Sequence, residues 1–322
     1  MNKEFVISTD LGGTKILSAL INKENKIIER SKLATDSNKG PDFIVECIAK
    51  SVKSLLKKTG IDQKEVRALS LGVPGTVNPE SGIISIAPNL NIKNYNIKKA
   101  LQKYFEIPVL LENDVNLGGL GVKYFEYKNK VKNMLVVFVG TGIGGALIFN
   151  GKLYRGSSFF AGEIGHMKVN FDGSLNAGDS KETFESLASR TAIVNSIVVK
   201  SKKNDTVLKK TIKKGERIKS KTLSKAITEK DKLVIEEMTK GCKIIGTVLG
   251  SLTTLLNFDT IVLGGGAIEA NEEFMMTRIK KAFFEAVIEP AGKIAKVTAT
   301  KLGDDAAIYG GIALADEFLP NE

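Results

Sequence analysis

Two stretches of this chain follow one plan, and that repetition limits the folds open to it more than any other feature. A short apolar strand at residues 5–8 leads through the glycine turn Asp10-Leu11-Gly12-Gly13-Thr14-Lys15 into a second strand at 15–21. The plan returns as a strand at 134–139, the turn Gly140-Thr141-Gly142-Ile143-Gly144-Gly145 and a strand at 146–149, with Asn150-Gly151 as a hairpin turn. The copies lie about 130 residues apart, far beyond the roughly 20–50-residue period of a solenoid. The spacing therefore predicts two related α/β halves, and 322 residues suffice for two domains of ordinary size.

Other elements fit that plan. A third strand is expected at 26–33 after a polar turn. Pro41 opens a helix whose apolar residues Phe43, Ile44, Ile48, Val52, Leu55 and Leu56 recur at helical spacing up to Gly60. A strand at 66–71, a helix at 97–105 and a strand at 108–111 follow. The second half predicts a strand at 164–169, helices over 181–256, a strand at 260–263 before Gly264-Gly265-Gly266, a helix at 272–287 and a strand at 294–299. A last helix at 304–318 is expected to return to the first domain. This places a smaller domain at 1–113 plus 304–322 and a larger one at 114–303.

The composition excludes several classes. No apolar run is long enough to span a membrane, and the N-terminus shows no small-residue cleavage site, so neither a membrane anchor nor a signal peptide is expected. Cys47 and Cys242 cannot form a disulfide framework and suit a reducing compartment, which points to the cytoplasm. The net charge of +11 would suggest nucleic acid were it spread out. It is concentrated between Lys200 and Lys232, where thirteen basic and four acidic residues leave +9. Few aromatics interleave that segment, so it reads as a solvated face and no nucleic-acid partner is expected.

Three glycine turns follow apolar strands: the two above and Gly264–Gly266. Glycine lets backbone N–H groups approach phosphate oxygens closely. Asp10, at a strand end, suits the hydration shell of a Mg²⁺ ion beside those phosphates. None of the turns has the dinucleotide fingerprint, and no GxxxxGK[ST] loop is present. Polar groups gather on other loops. Asp114 of Glu112-Asn113-Asp114 is placed either to cap a helix or to take a proton from a hydroxyl. Ala87-Pro88-Asn89-Leu90 presents an amide. In Ala161-Gly162-Glu163-Ile164-Gly165-His166 stands the chain's single histidine. Such a residue beside a strand is more often buried in a core than a ligand, yet with Glu163 and Glu185 it makes a polar set suited to several hydroxyls.

The ordered series DLGGTK, GVPG, APNL, END, GTGIGG, GEIGH, GGG and LGDDA resembles the ROK family of bacterial sugar kinases and sugar-responsive repressors, from Asp10 to about Leu314. The resemblance implies the actin-like ATPase (ribonuclease H-like) fold, two α/β domains around a cleft. It implies an ATP- and Mg²⁺-dependent kinase that phosphorylates a hexose at the 6-hydroxyl, glucose first, with fructose, mannose, allose and N-acetylmannosamine as alternatives. By the same resemblance Asp114 is the general base. Gly75, Asn89, Asn113, Glu163, His166 and Glu185 contact the sugar. Gly12, Gly13, Thr14, Lys15, Thr141 and Gly142 contact phosphates, Asp10 holds Mg²⁺ through water, and Gly264, Gly265 and Gly266 lie where the adenosine sits. A homodimer is implied as well.

One departure from the family pattern is large. Most members carry three zinc-binding cysteines after GEIGH, and the matching positions here are Asn176, Gly178 and Thr183. Without thiolates no structural zinc is expected. A repressor of this family carries a winged helix-turn-helix ahead of the first glycine turn, and here that turn begins at residue 10, so the repressor reading is disfavoured. A non-catalytic sugar-binding protein is the other rival, and the retained Asp10, Asp114, Glu163 and His166 argue against it.

Overall fold

The computed structural model describes residues 3–170 and 182–319, and these form two compact units. Among the described residues the first comprises 3–131, 151–161 and 304–319, and the second comprises 132–150, 162–170 and 182–303.

In the first unit the strand Phe5–Leu11 is central. It runs antiparallel to Lys15–Ile21, which pairs with Ile27–Ala34, and parallel to Val66–Val73, which pairs with Val109–Asn113. The central strands are rich in Ile, Leu and Val and buried on both faces, as parallel strands covered by helices require. Ile27–Ala34 alternates half-buried and exposed residues, and its outward Arg30 and Lys32 suit a sheet edge. Helix Pro41–Thr59 starts with Pro in its first turn and stops at Gly60, whose φ of 71° lets the chain turn left-handed. Its Ile44, Ile48, Val52 and Leu55 pack on the sheet.

Helix Asp305–Phe318 packs against Phe5–Leu11 and Val66–Val73. It approaches so closely that a Cβ on Gly311 would stand 2.2 Å from the Ser8 hydroxyl. The same helix packs against helix Asp114–Gly121, and a Cβ on Gly310 would meet the Leu117 carbonyl at 1.8 Å. That glycine contact draws 114–131 into the first unit, so the division falls after Val131 and not after Asn113 as the sequence suggested. The expected helix at 97–105 is shorter, Ile97–Leu101. A small antiparallel sheet, Thr76–Asn78, Ile83–Ala87 and Ile92–Asn96, was not foreseen.

The second unit repeats the plan. Met134–Val139 runs antiparallel to Ile143–Phe149 and parallel to Thr260–Gly264, which pairs with Lys296–Ala299. A strand, its antiparallel hairpin partner and two further parallel strands thus occur in the same order twice. This is the actin-like ATPase arrangement that the family resemblance implied, built on the two related halves that the repeat predicted. Helix Lys232–Leu256 packs on Glu272–Ala286 through Gly246 and Gly250, where a Cβ would fall 2.4 Å from the Ile279 carbonyl and 2.8 Å from the Ala286 Cβ. The expected strand at 164–169 is a 3-10 turn, Ile164–His166, because Gly162 at φ 95° bends the chain before it. The expected strand at 294–299 is shorter, since Glu289–Ile294 is helical with Pro in its first turn. The basic segment forms helices Lys209–Lys213 and Ser220–Thr228, with Leu223 and Ala226 buried while the lysines at 219, 221 and 225 face solvent. Among the described residues no helix is long and apolar enough to cross a membrane, and both cysteines are free thiols.

Candidate functional site

The first unit gathers the expected base and the first phosphate turn at the end of its central strand. Asp10 sits opposite Leu17 on one side and Gly72 on the other, and Gly72 is in turn opposite Glu112. Gly72 explains how two acids come together. A Cβ there would lie 3.5 Å from the Asp114 Cα and 2.8 Å from a Leu117 methyl, so only glycine lets helix Asp114–Gly121 settle over the strand beside Asp10. Burial, and after it the nearby Asp114 charge, pushes the Asp10 carboxyl up to about 7, against the pull of Lys15. A lone glycine inside an apolar strand is the one signal in the sequence that marks Gly72 as a place of close backbone approach.

The cap of this helix falls on the residue before Asp114. Asn113 is the cap: its side-chain oxygen accepts from the backbone N–H of Val115 at 2.9 Å and of Asn116 at 3.0 Å. Its amide donates to the Gly75 carbonyl at 2.9 Å. Both lone pairs of that oxygen are thereby used, so Asn113 has one amide N–H left to offer and cannot accept. Asp114 occupies the first turn, where a helix favours negative charge, and its Oδ1 accepts from the Val115 N–H at 2.9 Å.

Beneath this helix start lies a buried ion pair. Glu112 is 1% exposed; Arg155 Nε donates to it at 2.7 Å, and the Arg155 Nη1 donates to Glu317 at 2.8 Å. The other Glu112 oxygen accepts from the Asn113 N–H at 2.9 Å and the Asn116 amide at 3.1 Å. Glu112 and Arg155 thus fix the residue that caps the Asp114 helix. They stand 43 positions apart, and no sequence pattern connects them.

The first glycine turn is braced from outside. The Gly12 N–H donates to the Lys15 carbonyl at 2.9 Å, and the Thr35 hydroxyl donates to the Gly12 carbonyl at 2.6 Å. Thr14 is exposed, and Lys15 pairs with Asp304 at 2.6 Å. Asn89 lies against this turn, its carbonyl 3.4 Å from a Cβ built on Gly13. Gly75, at φ 92°, could take no side chain, since a Cβ would stand 2.3 Å from the Ile86 carbonyl.

The second unit brings Glu163, His166 and Glu185 together on the second glycine turn. Glu185 accepts from the Ile143 N–H at 2.7 Å, and a Cβ on Gly142 would collide with the same carboxylate at 2.2 Å. Gly165 lets the 163–166 turn lie on this hairpin: its Cβ would meet the Ile143 carbonyl at 2.2 Å. Glu163 and His166 Nε2 are 3.7 Å apart. Burial holds the Glu163 carboxyl above its ordinary value, with His166 pulling it down and Glu185 adding to the rise. The histidine itself is no core residue, for its side chain is 76% exposed. Thr141 accepts from Arg190 Nη2 at 2.8 Å, while the Arg190 N–H donates to the Gly140 carbonyl at 3.0 Å.

Gly264 and Gly265 press on strand Met134–Val139, with Cβ positions 2.9 Å from Phe138 and 2.7 Å from the Val139 carbonyl. Gly266 begins the short helix Gly266–Ala270, so this turn joins strand to helix where the other two join strand to strand. Thr183 caps helix Phe184–Ala188 through Ser186, and Asn176 and Gly178 lie outside the described residues.

Comparison with known proteins gives these features a context. A family model described as "ROK family" matches residues 6–317. A glucokinase from Halalkalibacterium halodurans is 27% identical over 315 residues, which cover 97% of this chain and 94% of that protein. A xylose repressor from Caldicellulosiruptor bescii is 27% identical over 324 residues, 96% of this chain and 77% of that protein. The crystal structure of a ROK family glucokinase from Streptomyces griseus, in complex with glucose and AMPPNP, superposes with a TM-score of 0.80 at 27% identity, covering 97% of this chain and 99% of that one.

Proposed function

Given that this chain belongs to the ROK family, we propose that it is an ATP-dependent hexose kinase that phosphorylates the sugar 6-hydroxyl, with glucose as first choice. The observation that carries the reading is Asp114. Asn113 caps its helix, and Asp114 stands in the first turn with its carboxylate near enough to Asp10 to raise that group, at the end of a central strand. The relatives at 27% identity that are glucokinases support the same reading and give glucose its place.

In this mechanism Asp114 accepts the proton of the sugar hydroxyl as its oxygen attacks the γ-phosphate. Asn113 contributes its one remaining amide N–H, and Gly75, Asn89, Glu163, His166 and Glu185 supply the other sugar contacts. Gly12, Gly13, Thr14, Lys15, Thr141 and Gly142 hold phosphates, and Gly264–Gly266 take the adenosine. A Mg²⁺ ion fits Asp10: a half-buried carboxyl raised to about 7 beside a second acid is relieved by a divalent cation held through water. When bound, that ion offsets charge on the phosphates. The reading includes a cytoplasmic homodimer that binds no nucleic acid. It includes no structural zinc, and stoichiometric zinc in elemental analysis of the purified protein would contradict that part.

The xylose repressor relative supports a second reading, a sugar-responsive protein without turnover. Asp114→Asn separates the two. The kinase reading expects kcat to fall by at least about 100-fold while sugar affinity, measured calorimetrically, stays within a few-fold. Near-normal kcat in this variant would remove Asp114 as the base.

A further inference from the structure

We propose that a cavity of about 410 Å³ in the first unit, lined by Lys123 and Lys152, binds a small organic carboxylate. None of its lining residues belongs to the site proposed for turnover, so the two readings stand or fall separately.

The cavity owes its charge to an irregular stretch of backbone. Helix Asp114–Gly121 widens at its end into a π-helical turn, Val122–Glu126, closed by the Tyr127 N–H on the Val122 carbonyl at 3.4 Å. Turns of this kind are rare and recur at functional sites. This one carries Lys123, which is only 6% exposed, although lysine is almost never buried unless paired. The chain then bends through Lys128 and Asn129, at φ 51° and 58°, a left-handed conformation that is strained for a lysine. The bend sets Asn129 over Lys123. The Asn129 N–H donates to the Lys123 carbonyl at 3.0 Å, and the Asn129 side-chain oxygen accepts from the Lys123 ammonium.

That amide is the ammonium's one partner among the described residues, and no carboxylate there forms an ion pair with it. Two acids line the same cavity, but each is taken. Asp316 is held by Arg67 Nη2 at 2.7 Å and by the Tyr124 hydroxyl. Glu317 accepts from both Arg155 Nη atoms, at 2.8 and 3.3 Å. Lys123 therefore keeps two N–H groups to offer. Burial holds its ammonium below the ordinary value, with Glu317 pulling the other way. A buried cation short of acceptors is costly, and an anion in the cavity supplies what it lacks.

The remaining wall decides which anion. Leu120, Leu153 and Ala313 are buried and give the cavity an apolar side, which favours a short carbon body over a bare inorganic ion. The volume falls low in the range of about 300–1,000 Å³ usual for small-molecule sites. Lys152 is exposed at the rim, a second positive charge that draws an acid inward. A carboxylate on a few carbons meets all three conditions.

Calorimetric titration of the full chain with pyruvate, succinate and inorganic sulfate tests this, for the parent, Lys123→Met and Lys152→Gln. At least one of the two acids should bind the parent, and more tightly than sulfate does. Lys123→Met removes the ammonium and nearly keeps its volume, so affinity for that acid should fall roughly tenfold. Its melting temperature without ligand should equal or exceed the parent's, because an underpartnered buried charge is gone. Lys152 lies at the surface, so Lys152→Gln keeps the fold and should weaken binding about threefold. The proposal is overturned if neither acid binds the parent, if sulfate binds as tightly, or if folded Lys123→Met loses less than threefold. A lower melting temperature with unchanged affinity marks Lys123 as a brace for the turn and overturns it too. Should Lys123→Met fail to fold, Lys152→Gln decides, and a loss below twofold there overturns the site.

Discussion

Replacing Arg155 with methionine should unfold the first unit more easily and slow the reaction, for one shared reason. Its Nε donates at 2.7 Å to Glu112, which is 1% exposed, so the variant leaves a carboxylate buried without its cation. Breaking a buried pair from one side costs about 3–5 kcal/mol. Glu112 keeps the Asn113 N–H at 2.9 Å and the Asn116 amide at 3.1 Å, which points to the lower end of that range. The Glu317 arm is more exposed, 38%, and adds at most about 1 kcal/mol. A loss near 3 kcal/mol moves a urea midpoint by about 1 M at an ordinary slope. Circular dichroism against urea measures it, since the chain lacks tryptophan. Adding Glu112→Gln removes the orphaned charge while its side-chain oxygen still accepts from Asn113, so the double variant should regain about 2 kcal/mol. In the single variant kcat should fall and sugar KM should rise, because the displaced Asn113 both caps the Asp114 helix and offers its amide to the sugar. A midpoint shift below about 0.3 M, or a double variant no more stable than Arg155→Met alone, would refute the reasoning.

Two other outcomes follow from the packing and the charges. Gly310→Ala should abolish or severely weaken folding, because its Cβ would stand 1.8 Å from the Leu117 carbonyl; soluble yield and circular dichroism report it, and a native-like melt would contradict the close helix contact. Glu163→Gln should stabilise the protein by an amount that grows with pH. The Glu163 carboxyl is held above its ordinary value in the folded chain, so its contribution is full below the unfolded value near 4.5 and is lost as pH rises through the folded one. Melting temperatures at pH 4, 6 and 8 measure the difference, and a gain that shrinks with pH would contradict the sign.

The repeated strand–turn–strand pattern was legible because it depends on local signals, apolar runs ended by glycines. Both sheets follow from it, as does helix Pro41–Thr59 with its Pro start and Gly60 stop. The small sheet at 76–96 was not legible. Its first strand is three residues long, and its last, Ile92–Asn96, carries polar side chains without a clear alternation. The packing of helix Asp114–Gly121 on the last helix was not legible, because Gly310 and Leu117, which meet there, are distant in sequence. At the site the sequence put Asp114 forward as a possible cap, and the backbone geometry gives that place to Asn113, one residue earlier. His166 beside an expected strand could be core or part of a polar set with Glu163 and Glu185, and the 3-10 turn that replaces the strand leaves it exposed near Glu163.

The account comes down to whether this chain moves a phosphoryl group. With Mg²⁺ and ATP present, a coupled measurement of ADP release over glucose, mannose, fructose, allose and N-acetylmannosamine tests that directly. The account predicts sugar-dependent ADP release with at least one of them, glucose first, and its loss in Asp114→Asn. No ADP release above the sugar-free rate with any of the five would contradict it.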